Sequence, residues 1–133
     1  MGDARNIAAT QLSLGYIMYE LENVLKAEEL FRKSMETLKV LDGRNDIAEC
    51  LEGFAGVAAL INQPQRGARL LAAAQAQRDV IGIPVARYQQ VRYQHIVESV
   101  TNQLDLQAFE HYRAEGRMMS LEEAIEYALS GSE

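Results

Sequence analysis

Two stretches of this chain carry the same small-residue pattern: Gly15 with Ala27, then Gly56 with Ala68 forty-one positions further on, twelve apart in each pair. In a helical hairpin, a residue without a side chain on one helix and a methyl group on the next let two backbones approach closely where they cross. Recurrence of that device at a fixed interval is the mark of a repeat architecture, whose units bury their apolar faces only by stacking on one another. The expectation is therefore an all-α fold of stacked antiparallel hairpins, and such scaffolds bind rather than catalyse.

The chain has 133 residues, 48% of them hydrophobic, so a single domain can bury about two-thirds of the surface its unfolded form exposes. A lone cysteine, Cys50, allows no intrachain disulfide and points to a reducing, cytoplasmic setting. No apolar run approaches the roughly 20 residues of a membrane span, and no signal-peptide pattern opens the chain, so a soluble protein is expected. A net charge of −6 argues against direct nucleic-acid binding. Arg66, Arg69, Arg78, Arg87 and Arg92 nevertheless cluster in a stretch whose one acid is Asp79. These arginines are expected on solvated helix faces, with an acidic partner or a neighbouring repeat as the alternative use.

Spacing places a first hairpin at about 5–42, with apolar positions Ile7, Ala8, Leu12, Leu14, Ile17 and Leu21, a turn at 21–23 and a second helix over about 24–41. Asp42-Gly43 ends it, the glycine supplying a left-handed cap. A second hairpin follows at about 46–82, with Asp46 as N-cap, a turn at 62–63, Pro64 at the first helical position and Gly82 as stop. A third is drawn at about 86–116, with Asp105 capping its second helix, and lacks the small-residue signature. Ser120 and Glu123 form a capping box that starts a short helix at 121–129, expected as a lid over the end of the stack and stapled by Met118-Met119. Residues 130–133 are expected to fray.

The first unit, with Leu14-Gly15, Ala27, Phe31 and Ser34 in register, resembles a tetratricopeptide repeat. The segments ECLEGFAGVAALINQPQRGARLLAAAQAQRDVIGIPV and EGRMMSLEEAIEYAL, within 49–129, resemble the carboxy-terminal repeat region of large bacterial LuxR-type signalling ATPases related to the maltose-regulon activator and to antibiotic-production regulators. That resemblance implies a tetratricopeptide-like α-solenoid forming the sensing or docking arm of a transcriptional regulator. The chain contains no G-x-x-x-x-G-K-[ST] loop and no basic recognition-helix pair, so ATP binding and DNA reading would belong to other parts of such a regulator.

Catalytic and metal constellations are not evident. His95 and His111 are read as lacking a metal-compatible partner at i+4 or a nearby cysteine. Cys50 has no adjacent histidine or cation and reads as a packing residue. Gly53-Phe54-Ala55-Gly56 lies in a helical pattern, which favours close packing over a phosphate cradle. No cofactor and no enzymatic activity are expected. In stacked hairpins the first helices line the concave side, which nominates Leu12, Tyr16, Tyr19 and Glu20 with Tyr88, Arg92 and His95 as the partner-binding face; tyrosine and arginine there suit protein or peptide capture. A small-molecule effector between the inner helices is the alternative. Homodimerisation through a repeat edge left uncovered near Ile7 and Leu12 is a third reading.

Overall fold

The computed structural model describes residues 2–131, and the expected fraying at 132–133 lies outside them. Among these residues there are seven α-helices, one 3-10 turn and no strand: α1 (Gly2–Glu20), α2 (Val24–Leu41), α3 (Arg44–Leu60), α4 (Pro64–Ile81), the 3-10 turn Arg87–Gln89, α5 (Gln90–Thr101), α6 (Leu106–Arg117) and α7 (Leu121–Ser130). Helix α1 packs on α2 and α3 on α4, each pair joined by a three-residue turn, and α3 in turn lies against α1 and α2.

The two hairpins repeat at the level of individual hydrogen bonds, with a period of forty rather than forty-one. Glu22 and Asn62 both take the left-handed conformation, and so do the residues ending the second helices, Asp42 and Gly82. The turn bonds Glu22 N–H to Tyr19, Asn23 to Met18 and Ala27 to Asn23 recur as Asn62 to Ala59, Gln63 to Ala58 and Gly67 to Gln63. In this register Gly15 corresponds to Ala55 and Ala27 to Gly67, so the small pair twelve apart is conserved with glycine and alanine exchanged. All four are buried. A Cβ on Gly67 would stand 3.4 Å from the Ala55 carbonyl oxygen, which is the close helix approach the pattern requires.

Gly56 serves a different purpose from the one its spacing suggests. A Cβ there would lie 2.8 Å from the Tyr19 ring of α1, so it makes room for the neighbouring hairpin rather than for Ala68. Gly15 and Gly53 form a slot for the fully buried Phe31 ring, with added Cβ atoms falling 2.7 and 2.5 Å from it. Aromatic rings thus fill space between hairpins where bare backbone contact was expected.

Two caps differ from expectation. Asp42, not Gly43, adopts the left-handed conformation, because α3 starts at Arg44 and Gly43 becomes its N-cap; Asp46 falls inside the first turn and does not cap. Asp105 accepts the Ala108 N–H, and Ser120 and Glu123 form both bonds of the capping box. Of the two methionines before that box, Met118 is exposed and Met119 packs against the core.

The last third departs from the hairpin pattern. Helix α5 packs on α3 and α4, α6 packs on α4, and α5 and α6 make little contact with each other. Helix α7 is not a lid over the end; it folds back across α2, α3 and α4. Its C-terminal carbonyls explain this path. Arg66 donates to Tyr127 O at 3.1 Å and Ala128 O at 2.7 Å, and Arg32 donates to Leu129 O at 2.6 Å. Two guanidinium groups therefore satisfy carbonyls the helix leaves unbonded, at the negative end of its dipole. The Arg66→Ala protein should lose about 2–3 kcal/mol in urea unfolding, the scale of charged hydrogen bonds, with faster amide exchange confined to α7. A loss under about 0.5 kcal/mol with unchanged exchange would remove Arg66 from this role.

Four of the five clustered arginines are committed inside the fold rather than solvated, and Arg87 alone of the five is exposed as expected. Arg66 and Arg78 are buried, Arg69 is paired with Glu115 at 2.8 Å, and Arg92 with Glu49 at 3.1 Å. Burying these stems was sterically possible because α3 and α4 are lined with alanine and glycine, leaving volume for long side chains.

Candidate functional groove

The C-terminal end of α1 and the segment from the 3-10 turn into α5 enclose a surface groove of about 470 Å³, lined by Tyr19, Glu20, Tyr88, Gln89, Val91, Arg92 and His95. Five of the seven nominated residues meet there. The other two do not reach it: Leu12 and Tyr16 are buried in the core. The reason is geometric. Positions 8, 12, 15, 16 and 19 form the side of α1 that packs on its neighbours, so only the last turn of the helix reaches the groove.

Tyr16 is the support beneath the groove. Its hydroxyl donates to Glu49 O at 2.5 Å, and the Arg92 guanidinium lies 3.5 Å above its ring centre. Arg92 and Gln89 both donate to Glu49 Oε2, at 3.1 and 3.2 Å. These contacts tie α5 and the 3-10 turn to α3 and fix the groove's width. Burial pushes the Tyr16 phenol well above its ordinary range, with Glu52 adding to the rise and Arg92 opposing it. Tyr19 is raised by burial as well, against a hydrogen bond from Ser99. Both phenols are therefore protonated at neutral pH, and Tyr16 uses its proton on Glu49 O.

One layer deeper, Glu52 and Arg78 form a buried two-pronged ion pair at 2.7 and 3.0 Å. Arg78 also donates to Asn45 Oδ1 and Ile83 O, which anchors the chain between α4 and the 3-10 turn. With Arg92 neutralised by Glu49, the charge left on the groove's lining is that of Glu20. Its exposed walls are Tyr88 and Val91, 85% and 86% accessible, with the His95 ring edge-on to Tyr19 at 6.3 Å. An aromatic and apolar mouth over a rigid polar floor suits capture of an apolar side chain from another protein.

Gln89 and Val91 were not nominated, because a turn residue and an outward valine carry no periodic signal. Glu49 and Glu52 did carry one: two acids three apart in the stretch 47–60, otherwise built of small and apolar residues, need internal partners. His111 has Glu115 one turn on at 3.4 Å, contrary to the expectation that it lacks an i+4 partner, yet Glu115 is also held by Arg69. No group of three His, Cys, Asp or Glu among the described residues could hold a metal ion. Cys50 is buried, its thiol donates to Phe31 O at 3.2 Å, and burial raises its pKa well above the ordinary value, so it packs rather than reacts. Among the described residues no helix is long and apolar enough to cross a membrane. No family model matches the chain, and neither a curated protein nor a solved structure matches it.

Proposed function

We propose that this chain is a non-enzymatic, tetratricopeptide-like helical-repeat module that docks a protein segment in the groove between α1 and α5. The setting the sequence resemblance suggests is the sensing or docking arm of a bacterial transcriptional regulator. The observation that carries the proposal is the convergence of Tyr19, Glu20, Tyr88, Arg92 and His95 on one groove from two helices far apart in sequence. The bond-for-bond repetition of the first two hairpins supports the repeat-module half of it.

The test uses the exposed rim, because Tyr16 and Arg92 hold the floor together. A photo-crosslinking residue at Tyr88 should capture one discrete protein from the native host. With that partner purified, Tyr88→Ala and His95→Ala should each weaken binding at least tenfold, as truncation of a hot-spot side chain does, without changing the melting temperature. Unchanged affinity in both folded variants would dismiss the groove.

A further inference from the structure

Glu20 is exposed, unpaired and badly placed for the fold. It is the last residue of α1, where the helix dipole disfavours negative charge and a basic side chain would stabilise, and that last turn holds no basic residue. Among the described residues its carboxylate forms neither an ion pair nor a hydrogen bond. It lies instead on the lining of the α1–α5 groove, beside Tyr88 and His95.

No neighbouring cation is available to it. Lys26, the nearest along the chain, is turned to Glu29 at 3.7 Å. Arg92 is committed to Glu49 at 3.1 Å and to the Tyr16 ring, and Arg78 to Glu52 beneath. Arg87 and Glu98 are exposed, lie outside the lining and offset each other. Glu22, two residues past Glu20, adds further negative charge, and both acids push the Tyr19 phenol up.

A segment seated in the groove takes water away from Glu20. An uncharged segment would leave that carboxylate desolvated without compensation, and an acidic one would add repulsion. A lysine or arginine satisfies it. The exposed Tyr88 ring offers a face for the cation, and Val91 a surface for its aliphatic stem. We infer that the segment docked between α1 and α5 is basic, presenting a lysine or arginine to Glu20 within one helical turn of the apolar side chain it buries. The inference rests on the docking reading above and gives the partner its sign of charge.

The partner captured through Tyr88 is the probe. Its crosslinked peptide, read by mass spectrometry, should carry a lysine or arginine within about four residues of the crosslink. Binding is measured at about pH 8, where histidine adds no charge. The association rate of the parent should fall about threefold between about 50 and about 500 mM salt, and Glu20→Gln should lose most of that dependence. Glu20→Lys should weaken binding about tenfold, and exchanging the partner's basic residue for glutamate should restore it. Neither variant should melt below the parent, since each removes an acid from a helix C-terminus. A captured segment without a basic residue there would overturn the inference, as would unchanged affinity and salt dependence in Glu20→Lys while Tyr88→Ala still weakens binding. Either result leaves the docking reading standing. A lower melting temperature for Glu20→Gln would also overturn it, by showing that the acid serves the fold. Unchanged affinity in both Tyr88→Ala and His95→Ala would remove the docking reading and this inference together.

Discussion

Replacing Arg78 by alanine should cost about 3–5 kcal/mol of stability, because it leaves the Glu52 carboxylate buried without its cation. The pair is almost wholly removed from water, with side chains 2% and 5% accessible, and it also positions the segment leading to the 3-10 turn. Burial holds the Glu52 carboxyl above its ordinary value of 4.5, while the hydrogen bond and charge of Arg78 pull it back down and Glu49 pushes it further up. Without Arg78 only the upward influences and the more distant Arg92 remain. A carboxyl whose pKa is higher folded than unfolded supports the fold when protonated, and that support is lost as pH rises through the folded-state value. The deficit of Arg78→Ala relative to the parent should therefore be largest at pH 7 and shrink as pH falls toward 4.5, when read by urea unfolding. The double replacement Glu52→Leu with Arg78→Met should regain most of the loss, since an apolar pair of similar volume needs no compensation. A small deficit that does not vary with pH would mean the pair contributes little.

Gly116→Ala should destabilise by about 2–3 kcal/mol even though alanine favours a helix over glycine by about 1 kcal/mol. A methyl group there would run into the Arg69 carbonyl oxygen of α4, with the carbonyl carbon at 2.8 Å and the Ala72 Cβ at 2.9 Å. Backbone cannot rotate aside as a side chain can, so α6 must lift away from α4. The sign of the change is the diagnostic, and amide exchange should speed up mainly over 106–117. Gly2→Ala is the control, since a Cβ there meets nothing within 4 Å. Stabilisation by Gly116→Ala would show that α6 does not pack as described.

The helices themselves were legible because their signals are local. Pro64, Gly82, Asp105 and the Ser120–Glu123 box act within a few residues, and the structure places each where spacing put it. The register of the repeat was harder. Gly15 and Gly56 catch the eye as glycines, but the true equivalents exchange Gly for Ala, and only the left-handed turn residues Glu22 and Asn62 reveal a period of forty. The path of α7 is non-local: the carbonyls it ends on are claimed by Arg32 and Arg66, far away along the chain. The same limitation applied to the basic cluster, since nothing in its spacing tells a solvated arginine from one aimed at Glu52.

For the groove, pattern located the two segments that line it but not the depth of each side chain. Tyr16 and Tyr19 are three apart on α1 and share a side, both buried at 3% and 4% exposure; Arg92 lies over the first, and only the second borders the groove. Arg92 lines the groove and is also the strut joining Tyr16 to Glu49. Under the docking proposal, recognition falls to Glu20, Tyr88, Val91 and His95, the exposed residues around it.

The docking proposal is tested most directly by hydrogen–deuterium exchange of the chain with its crosslinked partner purified and bound. Slowed exchange should appear together at 18–22 and 87–95, on both sides of the groove, with α6 and α7 unaffected. Protection confined to α6 and α7, or absent at 87–95, would contradict it.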